Sequence, residues 1–294
     1  MAPTIIFIRH AEALHSKCFV KSPFSFSYTE FLTNHVQMSP ISPSPQMWSS
    51  KPSSIKANKI PLQDYTTHDP PLTTHGLESE CSSLSQHLQK HVPLIHQVEL
   101  IVTSPLTRTL QTTQHTLGFL IQRGVKVIPL AELQETTTNP IDRGRPRAAL
   151  EQAWPAYDWS CLDAVFPAKE GLYAFAAEAL LARGAAVRKW LAGRPEKVVA
   201  VVSHAGFLRI GLGNCKYGNA DFRIFDLVPE QDGIVADGRP ALVEWEQTKA
   251  SGGGMGKSET GFYGWEVHDF KYMPGNEEKT TEELEEMVTR TPVR

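Results

Sequence analysis

The stretch "IFIRHAEALHSKC", residues 6–18, opens as an apolar run and closes on different chemistry. Its first half belongs to "TIIFIRH" (4–10), an unbroken series of β-branched and aromatic residues. A strand buried on both faces has that profile, and such strands belong to parallel sheets covered by helices. The run delivers Arg9 and His10 at its carboxyl end, where ligands collect on an open parallel sheet.

Three more runs share the character: "VELIVTSP" (98–105), "VKVIPLAEL" (125–133) and "EKVVAVVSHAG" (196–206). Between them lie segments with helical spacing. In "GLESECSSLSQHLQKHV" (76–92), Leu77, Cys81, Leu84 and Leu88 fall on one face. "PLTRTLQTTQHTLGFLIQR" (105–123) places Pro at a helix start, and "GLYAFAAEALLARGAAVRKWLA" (171–192) is rich in Ala and Leu. Apolar strands alternating with helices predict an α/β three-layer sandwich, a mainly parallel sheet with helices on both faces. "ALVEWEQ" (241–247) and "YGWEVHDF" (263–270) alternate instead, which predicts a C-terminal antiparallel hairpin. Residues 1–274 then form a single domain, and the charged tail from Gly275 is expected to be a loose peripheral helix or disordered. "SGGGMGKSET" (251–260) imitates a phosphate-binding loop, but Ser251 stands where that pattern needs Gly. It is expected to be a flexible hairpin connection.

The bulk composition narrows the partners. A net charge of −3 gives no general attraction for nucleic acid or anionic membranes, so any anion site must be local. Cys18, Cys81, Cys161 and Cys215 show no CxxC pairing, which argues against zinc or a disulfide framework and fits a reducing compartment. The opening apolar run is too short for a signal peptide, and no stretch approaches the ~20 apolar residues of a membrane span. The expectation is a cytoplasmic protein.

The strand ends carry the chemistry. Arg9 and His10 end the first run, Ser104 and Pro105 the second with Arg108 one turn on, and Ser203, His204, Ala205 and Gly206 the fourth. The third leads into "ELQE", with Glu132 and Glu135. Guanidiniums match phosphate oxygens with planar forks and stay charged. A neutral imidazole attacks phosphorus when its other nitrogen is held, and a second imidazole can donate to the equatorial oxygens. A carboxylic acid can protonate the leaving oxygen. Arg and His supply the positive field, so no metal and no cofactor is expected.

These motifs resemble those of the histidine phosphatase superfamily, in its phosphoglycerate mutase-like branch. "RHAEA" is similar to the family's Arg-His-Gly-Glu signature, with Ala11 replacing Gly. "DPPLTTHG" (69–76), "TSPLTRTLQT" (103–112), "LQE" (133–135) and "VSHAGFLR" (202–209) resemble its later elements, in family order. The resemblance implies His10 as the nucleophile forming a phosphohistidine. It implies Arg9, Arg108 and His204 as the phosphate pocket and Glu135 as proton donor, with Glu132 as the fallback. The expected substrate is a small phosphorylated metabolite. The mutase continuation Glu-Arg-x-Tyr-Gly is absent, since the chain reads "QETTTNPIDRGRPRAALE". That favours a phosphatase over mutase-type phosphoryl transfer; a catalytically impaired phosphate-binding module is the third alternative. Arg143, Arg145 and Arg147 are read as a solvated loop.

The pattern breaks at Ser16, where the family carries an Asn that helps hold phosphate; Ser16 is the candidate replacement. The segment 16–63 holds 11 Ser and 6 Pro in 48 residues, with Glu30 its one acidic residue. A structureless loop of that length inside a compact domain is unusual. Ser16-Lys17-Cys18 can encode a splice donor, Ala57-Asn58 a branch point and Gln63-Asp64 an acceptor, all in phase. The segment therefore reads as a retained intron whose removal joins His15 through Asn to Tyr65. The alternative is a lid or partner-binding insertion, which its Phe and Trp residues would suit.

Overall fold

The computed structural model describes residues 2–16, 65–228 and 240–291. Six strands form one sheet: β1 Thr4–Arg9, β2 Leu100–Thr103, β3 Lys126–Pro129, β4 Val198–Ser203, β5 Phe222–Val228 and β6 Ala241–Glu244. Their order is β3-β2-β4-β1-β5-β6. The first four are parallel, and β5 and β6 run antiparallel along one side. Helices in chain order are α1 Ser82–His91, α2 Thr107–Gln122, α3 Arg147–Ala153, α4 Ala177–Ala192, the short turn α5 Ala205–Phe207, α6 Glu246–Ala250, α7 Val267–Lys271 and α8 Thr281–Arg290.

Alternation along the strands builds two cores, one on each sheet face. Ile6, Ile8, Ile101, Ala200 and Val202 pack with Leu84 and Leu88 of α1 and Leu110, Leu117 and Leu120 of α2. Ile5, Phe7, Val102, Val199 and Val201 pack with Val187 and Leu191 of α4 and with Phe207 and Leu208. Ile5 through Ile8 are wholly buried. Each such side chain contributes roughly 1.5–3 kcal/mol, so β1 is held by its own core rather than by the chain after residue 16. The three-layer sandwich expected from the apolar runs is the observed architecture.

Three local expectations need correction, and a fourth, for the tail, narrows to its helical alternative. The antiparallel pairing exists, but β6 pairs with β5 and not with 263–270. Trp265 and Phe270 instead enter a third apolar cluster with Phe175, Leu180 and Leu284. Between them a capping box, Glu266 with Asp269, starts α7. The expected helix over 76–92 begins as a π-helix, Gly76–Cys81, before becoming α1. The glycine-rich loop 251–260 folds around one buried carboxylate: Asp221 accepts from Met255 N, Lys257 N and Ser258 Oγ at 2.8, 3.1 and 2.6 Å. The tail carries α8, capped by Thr280 and Glu283 and seated by Leu284. The segment 16–63, past Ser16, lies outside the described residues, and its proposed origin is taken up in the Discussion.

Candidate active site

Parallel register brings the strand ends to one rim. Arg9 is paired with Ser203, His10 N donates to Ser203 O at 3.0 Å, and Ser104 N donates to Val202 O at 2.9 Å. His10 and His204 consequently face each other, ring centroids 5.1 Å apart and edge to face. The His10 ring is oriented by Ala11, whose carbonyl lies 2.7 Å from Nδ1. With that nitrogen donating, Nε2 keeps its lone pair, and Arg108 Nε donates to it at 3.3 Å. Ser104 Oγ lies 2.8 Å from His204 Nε2, while His204 Nδ1 is buried with no hydrogen-bond partner among the described residues.

Burial first, then the charge of Arg108, pushes both imidazoles well below the usual histidine range. Both are therefore neutral at pH 7. Arg108 is itself almost fully buried, its fork tied to Ile141 O (2.6 Å) and Asp142 Oδ1 (2.8 Å). Arg9 donates through one arm to Tyr217 O at 2.6 Å, and its buried Nε has no partner among the described residues.

Residues of "DPPLTTHG" register this loop rather than touching the two histidines. Asp69, fully buried at a positive φ of 42°, accepts from Thr107 N and Oγ1 at 2.9 and 2.6 Å and so starts α2, one residue before Arg108. Thr73 holds Glu12 by three contacts, N to O at 2.9 Å, Oγ1 to Oε1 at 2.7 Å and Oγ1 to O at 3.4 Å. Gly76 lets this helix start approach: a Cβ there would meet Glu12 O at 2.2 Å.

On the opposite side, Glu135 spreads its carboxylate over main-chain donors, Thr136 N and Phe207 N at 2.9 Å and Gly206 N at 3.1 Å. Gly206 permits that approach, since a Cβ would lie 2.6 Å from Glu135 Oε1. Burial pushes the Glu132 carboxyl up, and its Oε2 has no hydrogen-bond partner among the described residues. Beside Glu135 opens a cleft of about 830 Å³, lined by Thr136, Gly206, Tyr217, Lys257 and His268 among others. The basic run does not enter the site: Arg143 binds Thr138 O, Arg145 pairs with Asp69 and Arg147 with Glu151.

One predicted residue stands apart from this convergence, and one unpredicted residue joins it. Ser16 closes the turn Leu14–Ser16, but its side chain lies outside the described residues. The neighbouring His15, which sequence reading passed over, faces the site with its ring 6.2 Å from His10. Burial and the nearby Arg108 lower it to about 4, with Asp142 opposing. Its place at the end of the nucleophile loop was the one signal available.

The chain belongs to the histidine phosphatase superfamily, branch 1, whose family model matches residues 61–230, more than half of it. The match begins at residue 61, at the very end of the segment 16–63, so β1 and His10 lie outside it. A probable phosphatase of Schizosaccharomyces pombe is 32% identical over 148 residues, 49% of this chain and 66% of that protein. A phosphoglycerate mutase-like protein of Arabidopsis thaliana is 30% identical over 157 residues, 42% of this chain and 56% of that protein. The chain thus spans less than two-thirds of the length of either relative. Among solved structures, an ecdysone phosphate phosphatase from Bombix mori aligns with a TM-score of 0.43 at 15% identity, covering 76% of this chain and 88% of that one.

Proposed function

We propose that this chain is a metal-independent phosphomonoester hydrolase working through a phosphohistidine on His10. One observation carries the reading: an imidazole held at Nδ1, its Nε2 lone pair facing Arg108, with a second neutral imidazole across a 5.1 Å gap. Nε2 of His10 attacks phosphorus, and the bond from phosphorus to the leaving oxygen breaks. Arg9, Arg108 and His204 hold the equatorial oxygens as negative charge moves onto them. The leaving oxygen takes a proton from Glu135. Water then attacks the phosphohistidine, giving its proton to the Glu135 carboxylate, and inorganic phosphate leaves with His10 restored. Ser16 is assigned the remaining phosphate contact by analogy with the family's Asn.

The neighbouring cleft of about 830 Å³ suits the leaving group of a small phosphorylated metabolite. Hydrolysis rather than mutase transfer is supported by the partners of Arg143, Arg145 and Arg147, which are Thr138 O, Asp69 and Glu151 and commit that run to the protein itself.

The test is phosphate release from p-nitrophenyl phosphate without added metal, by the full chain and by His10→Ala. Turnover by the first and none by the second is expected. Equal turnover in both would remove His10 as the nucleophile.

A further inference from the structure

Lys169 lies in "VFPAKEG" (165–171), a stretch with no motif, yet its Nζ donates to the main-chain carbonyl of Glu135 at 2.7 Å. That bond sets an ammonium on the same rim as the proposed acid. Charged groups from four elements act on it: Arg183 of α4, Asp142 of the turn Pro140–Asp142, Glu135 after β3, and Arg108 of α2. Its own charge bears in turn on His204 at the end of β4.

Of the carboxylates that act on Lys169, Asp142 and Glu135 are already engaged. Asp142 accepts from Arg108 NH2 and from Thr137 Oγ1 at 2.8 and 2.5 Å. Glu135 accepts three main-chain N–H groups. Arg183 is wholly buried, its guanidinium 4.3 Å over the Phe207 ring, and none of its nitrogens has a hydrogen-bond partner among the described residues. Lysine carries three N–H donors, and the Glu135 carbonyl uses one. Lys169 thus keeps donors that no carboxylate among the described residues takes, on a rim it shares with Arg108, and an anionic ligand would take them.

We propose that Lys169 is a further substrate-binding residue of this site, donating to a non-bridging oxygen of the phosphoryl group. The inference rests on the phosphatase reading and deepens it by adding a cation from outside the family motifs. Burial, reinforced by Arg183 and Arg108, brings the amine down to about 7, against the pull of Asp142 and Glu135. Above that pH the free site holds it mostly neutral, and an arriving dianion favours the charged form. Binding then takes up a proton from solvent.

Calorimetric titration with inorganic phosphate at about pH 8, in two buffers of different ionisation enthalpy, reads affinity and proton uptake together. The full chain should bind phosphate with uptake of a fraction of a proton. Lys169→Met, which keeps the apolar stem, should bind roughly 10- to 100-fold more weakly, with that uptake gone. Lys169→Arg should recover the affinity without the uptake, because a guanidinium stays charged. Unchanged affinity in Lys169→Met overturns the proposal, and so does a loss that Lys169→Arg fails to recover. Absence of phosphate binding by the unaltered chain overturns the phosphatase reading and this inference with it.

Discussion

The two sides of the site are built differently. On the nucleophile side, Arg9, His10 and His204 sit on strand ends, and main-chain hydrogen bonds between β1 and β4 set their spacing. On the acid side, Glu135 and Lys169 come from connections and are held by main-chain groups outside the sheet: Thr136 N and the α5 amides Gly206 N and Phe207 N for one, Glu135 O for the other. Sheet register is stiff, and loop backbone has more room to adjust. The comparison therefore predicts that phosphate binding resists change on the nucleophile side, while selectivity for leaving groups is set on the acid side.

The largest test of that division is Glu135→Gln. For alkyl phosphates, whose leaving oxygen needs a proton, turnover should fall roughly 100- to 10,000-fold. For p-nitrophenyl phosphate, which leaves readily unprotonated, it should change little. An equal fall for both esters would put Glu135 in the phosphate pocket and erase the distinction. Arg108→Lys should come next, at roughly 100- to 1,000-fold in kcat, and equally for the two esters. A lysine keeps the charge but cannot span His10, Ile141 and Asp142 as the guanidinium does. A loss that depended on the leaving group would break the comparison.

The pH profile should show the same asymmetry, with about a tenfold change per pH unit on each limb. His10 and His204 are held well below the usual range, so the neutral nucleophile persists into acid, and its limb in kcat/KM lies well below pH 6.5. Lys169, lowered to about 7, loses its charge as pH rises through that value and gives the basic limb. For p-nitrophenyl phosphate, whose departure needs no proton from Glu135, the basic limb should vanish in Lys169→Arg while the acid limb stays. The same histidines act on stability in the opposite direction to a histidine held charged by an acidic partner. The unfolded chain protonates them below about pH 6.5 and the folded chain does not, so stability should fall as pH drops through that point, read as a lower urea midpoint.

How much of this was legible follows from the same division. The parallel strands were readable because nothing polar interrupts them until the site begins, and the residues on their ends were readable with them. β5 was not. Its sequence "FRIFDLV" mixes Arg223 and Asp226 into the apolar residues. Arg223 nonetheless is only 1% exposed, because Glu244 of β6 pairs with it at 2.7 Å. That compensation comes from a separate strand and leaves no trace in local pattern. Lys169 was hidden for the same reason: its meaning depends on the Glu135 carbonyl, 34 positions away. The terminal helix α8 was half visible in its Thr280–Glu283 capping box, but its seat on Leu284 depends on a cluster assembled from α4 and α7. Asp69 belongs between these cases. Its motif was recognised, and its work as the cap of α2 appears only in three dimensions. Asp69→Ala should cost ~1–2 kcal/mol of stability, read in urea, and should reduce turnover by only a few-fold, since the register of β1 on β4 is untouched. A collapse of activity would mean that the start of α2, rather than the sheet, places Arg108 against His10.

The smallest effect on turnover is expected from the largest change in the chain. The described residues on either side of the insertion are clasped to one another. Leu14 N donates to Pro71 O at 3.0 Å, Ala13 and Leu72 form an isolated bridge, and Thr73 grips Glu12. The nucleophile loop is thus registered by 71–73 and by β4. We propose that residues 16–63 are a retained intron, and a chain joining His15 through Asn to Tyr65 is its direct test. Loop-closure entropy grows only with the logarithm of length, so the shortened chain should gain no more than about 2 kcal/mol in stability. It should hydrolyse p-nitrophenyl phosphate at least as fast as the full chain, because Asn restores a phosphate contact at position 16. Transcript sequence is the independent arm: messages lacking these codons support the intron, and a mature message encoding all of them overturns it. If the shortened chain folds but loses turnover, the segment supplies part of the site. The nucleophile side would then depend on loops as much as the acid side does, and the contrast between them would fail.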